Sequence, residues 1–163
     1  MYEKREKQEK SINMEDALTK GRAFCAYQER YHQEVRDKLY EWGLWPDGVE
    51  QVILTLIEEK FLNEERFARA YVSGKFRIKK WGRLKIKQGL KFRKISDYCI
   101  KKGFTEINDR EYEQTLKKVM DDYQRTLKES NKLKALHKTA RYAISRGFES
   151  DLVWGILKGV DNE

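Results

Sequence analysis

Two segments of this chain, 104 residues apart, read alike. In residues 40–53 (YEWGLWPDGVEQVI) and 144–157 (ISRGFESDLVWGIL), Gly43 matches Gly147, Leu44 matches Phe148, Asp47 matches Asp151 and Val49 matches Val153. Val52 and Ile53 match Ile156 and Leu157. About halfway, KISDYCI places Ile95 and Ile100 where the first segment has Leu44 and Val49. A period of about 50 residues is the signature of a repeat architecture, and it constrains the fold more than composition does. Each unit reads as a helix, a second helix closed by a glycine-type cap, an apolar plug and a third helix. The middle unit departs from the rule, because Lys94 stands in the glycine slot.

Apolar spacing within the units is helical. Val49, Val52, Ile53, Leu56 and Ile57 fall at i, i+3, i+4, i+7 and i+8, one face of a helix that Pro46 starts. Asn13, Asn63 and Asn108 each precede acidic residues at the start of a periodic run and predict N-caps. Gly43, Gly103 and Gly147 predict stops. The resulting expectation is an all-α fold: an elongated tandem array of three three-helix units, nine helices in all. The expected boundaries are a charged flexible tail over 1–12, repeat 1 over 13–62, a basic repeat 2 over 63–108, and repeat 3 over 109–163. A single proline, and 38% charged against 39% hydrophobic residues, suit several thin helical cores better than one large one.

Charge is the second constraint. Residues 75–94 (KFRIKKWGRLKIKQGLKFRK) hold ten Lys or Arg and no acid. The net charge is +8, so everything outside that stretch sums to −2. Local basicity of this kind points to a polyanion or an acidic protein face. The plain alternative is a solvated helix surface. At 100° per residue Arg83, Lys87, Lys91 and Lys94 fall within one stripe of about 80°, with Ile86 and Leu90 beside it facing the core. Phe76, Trp81 and Phe92 interleave with the charges; they read more readily as packing residues than as base-stacking ones.

No catalytic constellation is present in the sequence. His32 and His137 have no ligand-like neighbours, no Gly-rich phosphate loop or nucleophile elbow occurs, and adjacent carboxylates such as Glu58 and Glu59 point to different helix faces. The chain reads as a binder and not an enzyme, with no catalytic residue, metal or cofactor expected. Cys25 and Cys99 fit buried apolar positions in a reducing compartment. No apolar run approaches the ~18 residues of a membrane span, and the N-terminus lacks a hydrophobic signal core. A cytoplasmic location is the expectation.

FLNEERFARAYV (61–72), followed by WGRLKIKQGLKFRKIS (81–96), resembles the RecX family of recombination regulators. Phe61, Leu62, Asn63, Glu65, Arg66, Phe67 and Ala68 match the family's opening pattern; Gly82, Arg83, Leu84 and Ile86 match its Gly-basic-hydrophobic step. Trp81 and Gly89 depart from it. The likeness runs from about Asp16 to Val160, and residues 141–157 look like the family's closing repeat. It implies tandem three-helix units in a cytoplasmic bacterial protein that binds the RecA filament on single-stranded DNA. Such proteins usually inhibit the ATPase, strand-exchange and co-protease activities of RecA in DNA repair and the SOS response, and some assist them. The expected partners are RecA and single-stranded DNA, with double-stranded DNA also open, no membrane, and a monomeric state. Lys79, Lys80, Arg83, Lys85, Lys87, Lys91, Arg93 and Lys94 are the expected contacts to DNA phosphates or acidic filament residues. The other reading is a sequence-independent DNA-binding helical module with no recombinase partner.

Overall fold

The computed structural model describes residues 11–160, so most of the expected charged tail lies outside the described residues. Among the described residues nine helices follow in order: α1 (Met14–Tyr27), α2 (His32–Glu41), α3 (Pro46–Glu58), α4 (Glu64–Arg77), α5 (Arg83–Phe92), α6 (Asp97–Phe104), α7 (Asp109–Thr126), α8 (Lys132–Ser145) and α9 (Ser150–Val160). No strand occurs among the described residues. The all-α reading therefore stands. By packing, the chain divides into two compact units within α4, residues 1–67 and 68–163.

In the first unit α1 and α2 both lie on α3. Ala17, Val35, Leu39, Val49, Val52 and Leu56 are buried together, which is the apolar face the i, i+3, i+4 spacing predicts. Leu44 and Leu62 close the core at the two turns. Cys25 is a free thiol in this core, and burial pushes its pKa up to about 11, so it is an inert apolar residue here.

The second unit holds α5 to α9 and most of α4. Its largest buried side chains include Tyr112, Phe76 and Phe148. The Tyr112 ring lies between the other two, with centroids 5.8 Å from Phe76 and 5.3 Å from Phe148. Ile86, Leu90, Ile95 and Ile100 fill the space under α5 and α6. Leu133 and Ile144, which periodicity places on the inner face of α8, are instead 65% and 38% exposed. Thr139, Ala140 and Ala143 are the residues that α8 buries, because small side chains allow close approach to its neighbours.

The turn between second and third helix has one geometry in all three repeats. Leu44 N–H donates to the Leu39 carbonyl (3.2 Å), Ile95 to Leu90 (3.2 Å) and Phe148 to Ala143 (3.3 Å). This is the six-to-one bond of a Schellman cap, with a buried plug residue after it. The residue before each plug has positive φ: Gly43 at 92°, Lys94 at 58° and Gly147 at 98°. Lys94 thus breaks the sequence pattern and keeps the backbone pattern.

Candidate functional site

The basic stretch is the end of α4, a tight turn and all of α5. Lys80 takes positive φ (57°), and the Trp81 N–H returns to the Lys75 carbonyl at 3.1 Å. Gly82 then meets the turn after α8. Its N–H donates to the Arg146 carbonyl (2.8 Å), and the Leu84 N–H donates to the Gly147 carbonyl (3.0 Å). A Cβ on Gly82 would lie 2.2 Å from the Gly147 carbonyl carbon, so only glycine permits this approach. The Gly82-Arg83 step is therefore a docking point between repeats 2 and 3.

Arginines and lysines of the stretch divide by role. Arg83 reaches Asp109 at 2.7 Å and Glu149 at 3.1 Å, while its guanidinium lies 3.8 Å from the centroid of the Tyr112 ring. The Tyr112 hydroxyl accepts from the Arg83 backbone N–H at 3.0 Å and donates to the Glu149 carboxylate. Burial, with this bond to Glu149, holds the phenol well above its ordinary pKa. Arg77 donates to the Glu106 carbonyl (2.9 Å) and pairs with Glu111 (3.3 Å). Arg93 donates to the Gly89 carbonyl (3.0 Å) and lies over Tyr71. A planar fork of donors suits these several-partner positions, and lysine could not replace it.

The lysines face outward. Lys79, Lys80, Lys87, Lys91 and Lys94 are exposed, and none has an ion-pair partner among the described residues. Lys85 and Lys75 lie over the half-buried Trp81 ring, 4.4 and 4.9 Å from its centroid. Lys87, Lys91 and Lys101 line a shallow groove of about 400 Å³ between α5 and α6, floored by Ile100 and Phe104 and holding one acid, Asp97. Phe92 stands 84% exposed at the C-terminal end of α5, whereas Phe76 is core. Uncompensated ammonium groups clustered along a short segment raise the local concentration of anions and can meet backbone phosphates. Of the eight expected contact residues, five lysines are exposed without an ion-pair partner among the described residues, Lys85 lies over Trp81, and two arginines turn inward. Lys101, which the sequence reading did not include, lines the same groove; its signal is the lysine pair in the last turn of α6.

The model of the second three-helix domain of RecX matches residues 63–103, the span of α4 to α6. The chain is 31% identical over 132 residues to regulatory protein RecX of Clostridium perfringens strain 13, covering 80% of this chain and 61% of that one. It is 32% identical over 148 residues to regulatory protein RecX of Clostridium tetani, covering 88% of this chain and 66% of that one. The crystal structure of RecX from Lactobacillus salivarius superposes with a TM-score of 0.78 at 20% identity, over 92% of this chain and 97% of that one. This chain belongs to the RecX family. It spans between three fifths and two thirds of the length of the two clostridial relatives.

The residues that carry the RecX likeness at 61–68 have structural work. Asn63 caps α4 through the Arg66 N–H at 2.9 Å. The Arg66 guanidinium donates to the carbonyls of Lys60 (3.0 Å) and Phe61 (3.1 Å) and pairs with Glu29. Phe67 packs on the Tyr31 ring. The RecX opening pattern thus ties the end of α3 to the start of α4, and the exposed lysines follow it in the sequence.

Proposed function

We propose that this chain regulates the RecA recombinase, with inhibition as its sign, by binding along the RecA–single-stranded DNA filament. RecX-family membership supports the partner. The observation that carries the contact surface is the set of exposed lysines Lys79, Lys80, Lys87, Lys91 and Lys94, none of which has an ion-pair partner among the described residues. In this reading the lysines meet DNA phosphates or acidic side chains of the filament. Arg83 and Arg93 are positioning residues: they anchor the two ends of α5, on which Lys87 and Lys91 stand exposed. A chain lying across neighbouring protomers hinders the subunit motions of ATP turnover, and strand exchange and co-protease activity fall with it.

The test is single-stranded-DNA-dependent ATP hydrolysis by the cognate RecA, titrated with this protein. A second titration uses the variant Lys79→Glu/Lys87→Glu/Lys91→Glu/Lys94→Glu, which leaves every arginine network intact. The expected result is substoichiometric inhibition by the wild type and its loss in a variant of unchanged helicity. No effect of the wild type at several-fold excess over RecA would sink the proposal. It would favour a module that binds DNA with no recombinase partner.

A further inference from the structure

Repeat 3 carries an aromatic surface that the basic stretch does not include. Tyr123, near the end of α7, and Tyr142, in the last turn of α8, are stacked with centroids 4.2 Å apart and planes 7° from parallel. Both are half-buried. They line a shallow pocket of about 270 Å³ with Lys138, Arg141 and Ser145. No carboxylate lines it. Lys138 is held by Glu129 at 2.7 Å, whereas Arg141 is exposed and has no ion-pair partner among the described residues. The Ser145 hydroxyl donates to the Tyr142 carbonyl at 2.6 Å.

Arg146 links the neighbourhood of the pocket to the backbone of Lys79. The Arg146 guanidinium lies 5.9 Å from the Tyr142 centroid and donates to the carbonyl of Lys79. One arginine therefore lies near the Tyr142 ring and against the backbone of Lys79, the first of the exposed lysines.

We infer that Tyr142 and Tyr123 form a stacking platform for an unpaired base of single-stranded DNA, with Arg141 on the adjoining phosphate. Flat aromatic area gives sequence-tolerant affinity for bases, and a cation beside it takes the backbone charge. The absence of acids in the lining favours an anionic ligand, and Arg146 puts the Lys79 backbone close enough to the rings for one strand to reach both. This inference rests on the proposed DNA-facing role and adds a site in repeat 3 that reads bases as well as charge.

Fluorescence anisotropy with two labelled oligonucleotides of equal length tests it: oligo(dT), and an abasic tract with the same phosphates and no bases. Wild type is expected to bind oligo(dT) more tightly. Tyr142→Leu is expected to weaken oligo(dT) binding roughly tenfold and erase the preference over the abasic tract, while Tyr142→Phe keeps both. Arg141→Glu, at an exposed position, is expected to weaken both probes several-fold. Equal binding of the two probes by wild type, or wild-type binding of oligo(dT) by Tyr142→Leu, overturns the platform and leaves the lysine surface standing. If Tyr142→Leu loses helicity by circular dichroism, the wild-type preference and Arg141→Glu decide; no effect of Arg141→Glu overturns it. Wild-type affinity in the lysine-to-glutamate variant overturns the DNA-facing role itself. Failure of wild type to bind either probe overturns both.

Discussion

The same substitution has opposite signs at two glycines of repeat 3. Gly147 has φ of 98°, and an added Cβ would meet Lys85 Cβ at 2.4 Å and Lys85 N at 2.6 Å. Left-handed backbone costs an L-residue about 1–2 kcal/mol, and a clash with backbone cannot be relieved by a rotamer change. Gly147→Ala is expected to destabilise by about 3 kcal/mol or more. Gly155 sits inside α9 with nothing within 4 Å of an added Cβ. There alanine restricts the unfolded chain and favours the helix, so Gly155→Ala is expected to stabilise by about 0.5–1 kcal/mol. Urea denaturation of both variants checks the pair; equal shifts would refute the assigned roles. Lys94 shows the limit of reading at this scale. Its slot demands positive φ, which glycine signals in repeats 1 and 3, yet a lysine accepts it here at modest cost. Residue identity hid a turn that the backbone preserves.

At the scale of elements, the first helix of every repeat begins the same way. Asn13 Oδ1 accepts from Asp16 N–H (2.8 Å), Asn63 from Arg66 (2.9 Å) and Asn108 from Glu111 (2.7 Å). Each cap satisfies a donor that the helix itself cannot. Asn108→Ala is expected to cost about 1 kcal/mol and Asn108→Asp close to nothing, since aspartate keeps the acceptor and suits the helix N-terminus. Thermal unfolding would read this, and an equal loss with aspartate would count against capping. These starts, with Pro46 and the glycine stops at Gly43 and Gly147, are why helix order was legible in the sequence; Gly103, expected as a third stop, instead lies buried inside α6 against Ala68. Caps are local signals, complete within four residues. The site was less legible because its organisation is not local. Arg83 and Lys87 look equivalent on a helical wheel, but the partners of Arg83 lie 26 and 66 residues away at Asp109 and Glu149. Gly89 looks like a weakness in α5, yet a Cβ there would lie 2.1 Å from the Tyr71 hydroxyl, so the space is already taken. Tyr123 and Tyr142 pair across 19 positions and two helices, which no periodicity reports.

For the whole molecule, the question is how much of its charge a polyanion would meet. Ten basic residues stand between 75 and 94, and the net charge is +8. Arg77, Arg83 and Arg93 are engaged inside the fold, and Lys75 and Lys85 lie over Trp81. Five lysines remain with nothing to release. Each phosphate neutralised on single-stranded DNA contributes a slope of about −0.7 to log K against log salt. Five contacts therefore give about −3.5, and Arg141 would bring the value to about −4. Full engagement of all ten would give about −7, and would require the Arg83 bonds to Asp109 and Glu149 to break on binding. Titration of oligo(dT) between low and physiological salt separates these outcomes. A slope near −4 would mean that the arginines stay where the fold puts them and that the lysines are the contact surface. A slope near −7 would mean that binding opens the junction of repeats 2 and 3, and that the arginines had been held in reserve for the DNA.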